Sequence, residues 1–259
     1  MAKASSHTKA KPHPELSAEV AVISDIHSNL QALEAVVAEC EKRQINRYFC
    51  LGDIVGYGAN PTECLKLIKS LHCTTVMGNH DMYVATGNID TDVTALARRG
   101  LEHSNEQLTK TAKKWLLSLP SALTPDGATI VHASLYEPLE WHYLIDPMDA
   151  IPSIRLQTTP ICFFGHTHVP KIYVSPDGPK PKLVEDSKFA FSHEGRYMVN
   201  PGSVGQPRGS DPRAHFAVYH PEEFTIQFLK VNYDTEMAAQ AILDAGLPPF
   251  LAERLIQGR

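Results

Sequence analysis

Long apolar runs are missing from this chain of 259 residues. No segment approaches the ~20 apolar residues that a membrane-spanning helix requires, so we expect no membrane span and no membrane partner. Cysteine is scarce too: the five cysteines include no Cys-x-x-Cys pair, which argues against a disulfide framework and against a thiolate zinc site. We therefore expect reduced thiols and a cytoplasmic location.

An excess of positive charge is also lacking, with 24 Lys and Arg against 29 Asp and Glu, a formal net charge of −5. Binding nucleic acid through its backbone charge needs a basic surface, so we do not expect a nucleic-acid partner. Residues 1–16 mix Lys, Ser, His and Pro with no apolar stretch behind the charges. They indicate a disordered N-terminal tail and not a signal peptide, and residues 17–259 are expected to form a single domain.

Short β-branched runs alternate with amphipathic stretches in the first half of the chain, which predicts parallel strands joined by helices. Strands are predicted at residues 19–23, 48–51, 74–77, 128–131 and 161–164. Helices are predicted at residues 30–42 and 62–71, with a helical region at 93–119 that ends before Pro120. Antiparallel hairpins over residues 172–230 and a last helix at 235–245 complete the expected α/β fold.

Polar clusters follow these predicted strands. They are Asp25 and His27, Asp53, Asn79 and His80, His132, and His166 with His168. In open α/β sheets, ligands bind outside the carboxyl ends of the strands, so segments that are distant in sequence can meet at one site. Each short motif is weak alone, because an Asp-x-His or a Gly-Asp turn is common; the ordered set predicts a metal site.

The set offers carboxylate and amide oxygens together with imidazole nitrogens. Such a mixture suits Mn, Fe, Zn, Co or Ni better than Ca or Mg, with Mn the first choice. A carboxylate such as Asp53 can bridge two divalent ions ~3.5–4 Å apart, and a hydroxide between the ions could attack phosphorus in line. The predicted ligands are Asp25, His27, Asp53, Asn79, His132, His166 and His168.

These residues resemble the calcineurin-like metallophosphoesterase superfamily. Its five blocks appear in order as Asp25-Ile-His27, Gly52-Asp53, Gly78-Asn79-His80-Asp81, His132 and Gly165-His166-Thr-His168. The resemblance implies a layered αββα sandwich of two mixed sheets flanked by helices. It also assigns Asp25, His27, Asp53 and His168 to one ion, and Asp53, Asn79, His132 and His166 to the other.

The resemblance gives His80 a catalytic role as well. His80 would protonate the leaving oxygen or steady the phosphate, and Asp81 would orient it. Within the superfamily the chain more closely resembles the compact prokaryotic phosphodiesterase branch, which carries an Asn-Pro-Gly-Ser turn like the one that begins segment 200–208 here. This segment is either a structural turn or a phosphate-binding loop that includes Arg208.

Phosphoprotein phosphatases of the family carry arginines after the Gly-Asp block and before Gly-Asn-His. Here Gly52-Asp-Ile-Val-Gly-Tyr-Gly58 and Val76-Met77-Gly78 lack them, which disfavours a phosphoprotein substrate. Four aromatic residues near the ligand blocks could stack on a base, although a role in the core is favoured: Tyr57, Tyr136, Trp141 and Tyr143. Tyr57 and Arg208 are the candidate substrate-binding residues.

We therefore predict a phosphoesterase that acts on a small phosphodiester, phosphoanhydride or phosphomonoester, with a nucleotide among the candidates. Two alternatives stay open. A nuclease would need a basic groove, which the acidic net charge disfavours. A non-catalytic scaffold with this fold would have lost His80 or a ligand, and all of them are present.

Overall fold

Successive side chains along each strand point to opposite faces of the sheet, and the strands form two sheets that pack face to face. The structure, a computed structural model, describes residues 16–176 and 180–259. Except for Leu16, the predicted tail over residues 1–16 therefore lies outside the described residues. The strands are β1 (Val20–Ile23), β2 (Tyr48–Cys50), β3 (Thr74–Thr75), β4 (Ala122–Leu123), β5 (Ala128–Val131), β6 (Ile161–Phe163), β7 (Lys171–Ser175), β8 (Lys182–Val184), β9 (Lys188–Ala190), β10 (Arg196–Asn200), β11 (Ala214–His220) and β12 (Thr225–Val231).

The helices flank the two sheets. They are α1 (Leu30–Lys42), α2 (Pro61–Ser70), α3 (Asn79–Thr86), α4 (Ala95–Gln107), α5 (Lys110–Leu117), α6 (Ile151–Leu156), α7 (Thr235–Asp244) and α8 (Pro249–Gln257). The first sheet has the order β3-β2-β1-β11-β12-β9, and the second has the order β4-β5-β6-β10-β7-β8. Both are mixed: β1 runs parallel to β2 and antiparallel to β11, while β10 runs parallel to β6 and antiparallel to β7.

The period of two in β1 places its apolar side chains in two cores. Val20 and Val22 join the core between the sheets, while Ala21 and Ile23 join the core under α1 and α2. Residues on the outer face of the second sheet pack with α6 in a third core. Helices therefore cover both outer faces, and the αββα sandwich that the sequence predicted is confirmed.

Local signals position the helices that follow the site loops. The side chain of Asn29 caps α1 by accepting a hydrogen bond from the amide of Ala32 at 3.1 Å, and Pro61 occupies the first turn of α2. Gly78 is the N-cap residue of α3 and lies directly beside the loop after β2. A Cβ at Gly78 would collide with the Asp53 carboxylate and the Asp53 amide, so only glycine allows this approach.

Several elements differ from the prediction. The helical region at 93–119 is two helices, α4 and α5, because the chain turns to extended geometry at Leu108. The two-turn helix α3, the six-residue helix α6 and the final helix α8 were not predicted, so the helix at 235–245 is not the last one. The helix α8 begins at a Pro248-Pro249 pair, which is compatible with a first turn because that turn needs no amide hydrogens.

No helix in residues 16–176 and 180–259 has both the length and the apolar character that a membrane span needs. The single domain over residues 17–259 stays a prediction.

We expect Phe163→Ala to lower the free energy of unfolding by ~3–5 kcal/mol, because this fully buried ring packs against Tyr219 at 5.3 Å and Phe49 at 6.5 Å between the sheets. Urea unfolding followed by circular dichroism would measure the change. Leu183→Ala on the edge strand β8 is the control, because its side chain is 46% exposed, and it should change stability by less than ~0.5 kcal/mol. Equal effects of the two substitutions would contradict the packing described here.

Candidate functional site

The structure brings all seven predicted ligands together at the carboxyl ends of the strands. Asp25 and His27 follow β1, Asp53 follows β2, His132 follows β5, and His166 and His168 follow β6. Asn79 is the first residue of α3, just after β3. All seven side chains are buried, and the exposed fraction of each is at most 8%.

Two groups of donor atoms form at this junction. Asp25, His27 and His168 make up the Asp25 group, and Asp53, His132 and His166 make up the Asp53 group; within each, the candidate ligand atoms lie within 4.8 Å of one another. His168 Nε2 lies 3.4 Å from Asp25 Oδ1, and His132 Nε2 lies 3.4 Å from Asp53 Oδ2.

The two groups are adjacent and meet at Asp53. Its Oδ2 also lies 3.7 Å from His27 Nε2 of the Asp25 group, and the side-chain oxygen of Asn79 lies 3.2 Å from His132 Nε2 of the Asp53 group. His80 lies within the same distance limit of His27 and Asp53, so position alone does not separate it from the predicted ligands. The division of the ligands between two ions stays a prediction.

Backbone carbonyls orient three of the imidazoles. The Nδ1 atoms of His27, His132 and His168 lie 3.2, 2.8 and 2.7 Å from the carbonyl oxygens of Val55, Leu51 and Gln206. A carbonyl only accepts, so each Nδ1 carries the hydrogen, and a neutral ring then presents an unprotonated Nε2 towards the centre.

The donor chemistry fits bound cations. Burial holds the pKa values of His27 and His168 well below the ordinary range, so both rings are neutral. The charge of His80 adds to this effect at His27, and the charge of Arg208 adds to it at His168. Their Nε2 atoms nevertheless face each other at 3.1 Å, which places two lone pairs in contact. His166 Nε2 is buried without any hydrogen-bond partner. A divalent cation beside these atoms would satisfy them.

The pKa values of the buried carboxylates Asp25 and Asp53 are shifted in opposite directions. Burial raises the pKa of Asp25 to about 6, with Asp53 adding to the rise and His132 opposing it. Burial also opposes ionisation of Asp53, but the charges of His132 and His80 hold its pKa well below the usual value. Burial lowers the pKa of His166 to about 3, whereas Asp53 outweighs burial at His132 and raises its pKa to about 9. Of the two carboxylates, Asp53 is thus the one whose ionised form the neighbouring imidazoles favour, and it lies where the two groups meet.

Left-handed backbone geometry recurs through the site. Five predicted ligands have positive φ values of 48–64°: Asp25, His27, Asp53, His166 and His168. Residues other than glycine adopt this region rarely and at an energetic cost, and such residues cluster at functional sites. The sharp turns that follow β1, β2 and β6 point these side chains towards one another.

No hydrogen bond joins the Asp81 carboxylate to the His80 ring in the structure, and the orienting role of Asp81 stays a prediction. Its carboxylate accepts the backbone N–H groups of Gly78, Ile54 and Val55 at 3.1, 2.9 and 3.3 Å. Burial and the Asp53 charge raise its pKa to about 7. Asp81 thus ties the start of α3 to the loop after β2, and it positions His80 through the backbone.

Segment 200–208 is structural through Gln206. The amide of Asn200 donates to the Gly165 carbonyl at 2.6 Å and to Thr167 Oγ1 at 3.1 Å. The hydroxyl of Ser203 donates to the Asp25 carbonyl at 2.8 Å. The backbone amides of the segment also donate hydrogen bonds. Their acceptors are the side chains of Asn200 and Ser203 and the backbone carbonyls of Ser24 and Asp25. Up to Gln206 the segment is therefore a structural turn that joins the loops of the two sheets, and a role of Arg208 in phosphate binding stays a prediction.

Arg208 and Tyr57 both lie close to the centre. The Arg208 charge acts on the pKa values of Asp25 and His168, and its Nε is buried without a hydrogen-bond partner. The Tyr57 ring packs edge-on against His27 at 4.7 Å and lies 4.8 Å from the His80 ring.

The preference for a core role of the aromatic residues is wrong for Tyr136 and Tyr143, which are 42% and 54% exposed. Tyr143 lies over the His166 ring at 4.0 Å, and Trp141 packs edge-on to His132 at 5.9 Å. Sequence reasoning also missed Tyr83, Asp90, Asp92 and Glu140, which line a cavity beside His166. No short motif marks them, because only folding brings them to the site.

Comparison with known proteins agrees with this geometry. Residues 19–223 match the calcineurin-like phosphoesterase superfamily domain. The chain is 38% identical over 251 residues to a Methanocaldococcus jannaschii protein described as uncharacterized, covering 93% of this chain and 98% of that one. It resembles the crystal structure of a metallophosphoesterase from Sphaerobacter thermophilus, with a TM-score of 0.82, 35% identity and coverage of 93% and 99%.

A hypothetical protein of Pyrococcus horikoshii OT3 shares the fold, with a TM-score of 0.77, 21% identity and coverage of 93% and 98%. Two mixed sheets with buried candidate metal-binding groups at their strand ends are the features of the metallophosphoesterases. The chain belongs to the calcineurin-like phosphoesterase superfamily and is a phosphoester hydrolase.

We expect Asn200→Ala to weaken the binding of Mn²⁺ by ~10–100-fold, because the substitution removes the hydrogen bonds that hold the loop carrying His166 and His168. Calorimetric titration of the metal-free protein would measure this affinity. Asn88→Ala is the control, because its side chain is exposed outside the site and the affinity should not change. An unchanged affinity in Asn200→Ala would show that the segment does not position these histidines.

Proposed function

We propose that this chain uses two divalent transition-metal ions to hydrolyse a small phosphodiester, phosphoanhydride or phosphomonoester. The observation that carries the proposal is the pair of adjacent, buried donor groups that meet at Asp53, together with the Nε2 atoms of His27 and His168, which face each other at 3.1 Å within the Asp25 group. Mn²⁺ is the preferred ion, with Fe, Zn, Co and Ni as alternatives, since the donors mix nitrogen and oxygen.

The proposed ligands are the seven residues that the sequence predicted, with Asn79 completing the Asp53 group. When bound, the two ions would polarise a phosphoryl oxygen and lower the pKa of the attacking water. Backbone carbonyls accept hydrogen bonds from the Nδ1 atoms of His27, His132 and His168 and so fix the direction of each ring. The directions of these rings would set the positions of the ions.

His80 is proposed to act on the substrate and not on a metal. Its imidazole would donate a proton to the leaving oxygen or a hydrogen bond to a phosphoryl oxygen. The backbone N–H of His80 donates to Asp53 Oδ1 at 2.9 Å, and Asp81 holds the start of α3, so the ring has a defined position. Arg208 would neutralise phosphate charge, and Tyr57 would contact the substrate beside His80.

Two further points belong to this proposal. The described chain has five free cysteines, as is usual in the reducing cytoplasm, which is where we propose the enzyme acts. A nucleic-acid partner is not proposed, because the net charge of −5 offers no excess of cations for a phosphate backbone.

Removal of metal should reduce hydrolysis to the uncatalysed rate, and Mn²⁺ should restore it, because no side chain of the site replaces the Lewis acid. Turnover of bis-p-nitrophenyl phosphate before and after chelation would measure this. Mn²⁺ at 100 times its dissociation constant should also stabilise the fold by ~2.7 kcal/mol. Full activity in protein shown to be free of metal would refute the mechanism.

His80→Ala should retain both ions but lower turnover by ~10²–10⁴-fold. The loss should be greater for alkyl phosphoesters than for nitrophenyl phosphoesters, because an alkoxide leaving group needs a proton and a nitrophenolate needs little. Steady-state kinetics combined with elemental metal analysis would measure both effects.

Two variants serve as comparisons for His80→Ala. His166→Ala should empty one metal position, whereas His193→Ala, an exposed ring outside the site, should change neither metal content nor turnover. Equal losses on alkyl and aryl esters would indicate that His80 steadies the phosphate. Loss of metal from His80→Ala would make His80 a ligand, as its proximity to His27 and Asp53 allows.

A further inference from the structure

A cavity of about 450 Å³ opens beside the proposed metal centre. Asn79, His80 and His166 form its inner wall. The volume lies within the ~300–1,000 Å³ that is typical of sites for small organic molecules. His166 is 6% exposed, and its unpartnered Nε2 belongs to a side chain that lines this space. The cavity is therefore where the organic part of a substrate would lie while its phosphate is at the metal centre.

Aromatic rings form the side walls of the cavity. Tyr57 and Tyr83 lie on the side of α3, while Trp141 and Tyr143 come from the irregular chain between β5 and α6. The Tyr143 ring is 54% exposed and lies over an imidazole of the centre, so its other face is available to a ligand. Exposed rings at a site of this size favour a flat aromatic group, through stacking and edge contacts.

The rim of the cavity is acidic. Asp90 and Asp92 precede α4, and Glu140 comes from the same chain segment as Trp141. Among the described residues, no lysine or arginine lines the cavity, and none forms an ion pair with these three carboxylates. Arg98 donates to the backbone carbonyl of Asp90 at 2.7 Å.

The charge of Arg208 acts on the pKa values of Asp25 and His168 at the centre. Arg208 is not part of this cavity; it lines a different one, together with Lys171 and Arg213. Positive charge is thus available to a phosphate at the centre, while the Asp and Glu side chains that line the cavity add negative charge beside the rest of the substrate. A second phosphate or a carboxylate placed there would be repelled by three carboxylates, whereas amino and hydroxyl groups could donate to them.

We propose that this cavity selects phosphoesters whose organic group is aromatic, carries no negative charge and bears a single phosphate. A nucleoside joined to one phosphate satisfies these conditions, because its base is flat and its amino and hydroxyl groups are donors. Nucleoside polyphosphates and other phosphoanhydrides do not satisfy them. This selectivity rests on the proposed phosphoesterase function, and it narrows the substrate class that the metal centre alone would accept.

A series of aryl phosphates that differ only in charge tests the acidic rim. The members are phenyl phosphate, 4-carboxyphenyl phosphate and 4-(aminomethyl)phenyl phosphate, each as the monoester and as the methyl diester. For the Mn²⁺-loaded wild-type enzyme, we expect kcat/KM to be highest for the cationic ester and lowest for the anionic ester. The preference should weaken as the salt concentration rises, because the carboxylates are exposed.

Charge-neutral substitutions separate the rim from the leaving-group chemistry. Asp90→Asn/Asp92→Asn/Glu140→Gln should lower the ratio of kcat/KM for the cationic ester over the anionic ester by roughly 3–10-fold, as expected for exposed charges. Differences in leaving-group reactivity cancel when the ratio in the variant is divided by the ratio in the wild type. Glu106→Gln is the matched control: it lies exposed on α4 outside the cavity and should leave the ratio unchanged.

The aromatic wall has its own test. Tyr143→Ala should lower kcat/KM for phenyl phosphate relative to ethyl phosphate by roughly 2–12-fold, the range expected for loss of one ring contact. Leu139→Ala, a 49% exposed residue in the same segment that does not line the cavity, should leave this ratio unchanged.

The outcomes distinguish the two proposals. The selectivity proposal would be overturned if metal-dependent hydrolysis showed no charge preference or a preference for the anionic ester. It would also be overturned if the triple substitution left the ratio of kcat/KM values unaltered. Each of these results would leave the phosphoesterase proposal intact. Absence of metal-dependent hydrolysis of every ester, including bis-p-nitrophenyl phosphate, would overturn the phosphoesterase proposal and the selectivity proposal with it.

Discussion

Burial of three carboxylates at the junction of the two sheets is the constraint on which the site depends. Asp25 and Asp81 are 0% exposed and Asp53 is 1% exposed, and an unpaired buried charge is strongly destabilising. The chain satisfies them with backbone N–H groups: His166 donates to Asp25 at 3.1 Å, His80 to Asp53 at 2.9 Å, and Ile54 to Asp81 at 2.9 Å. The first of these bonds joins the two sheets, so the loops that carry the site cannot move independently.

The same constraint explains the unusual backbone of the site. For a carboxylate to meet an amide of another loop, the chain must turn sharply where the strand ends, and Asp25, Asp53 and His166 do so with positive φ. Ser203 and Gln206 then hold the Asp25 carbonyl and the His168 ring from outside. Strain at these turns is maintained because hydrogen bonds from several segments determine each position. Preorganised donor groups of this kind allow a metal ion to bind without rearrangement of the loops.

Much of the fold and of the predicted site could be read from local patterns. The bounds of α1 match the prediction because its apolar residues recur with the helical period within one local stretch, and the donors were found because each follows an apolar strand. Helices α3, α6 and α8 were missed, since α3 is built from a ligand block, α6 has only six residues and α8 begins at a pair of prolines. The family pattern gave Asp81 the role of orienting His80, but the backbone amides to which its carboxylate is directed are marked by no pattern in the sequence.

The sequence by itself determined the types of donor, their order along the chain and their position at strand ends, because alternation of apolar residues and the polar residues after them are properties of neighbouring positions. Only the tertiary structure decided that Trp141 and Tyr143 cover the imidazoles, that segment 200–208 joins the loops of both sheets, and that Asp90, Asp92 and Glu140 surround one cavity. These contacts join irregular segments that are distant along the chain. Their positions follow from the packing of the two sheets and their helices, which no local period specifies.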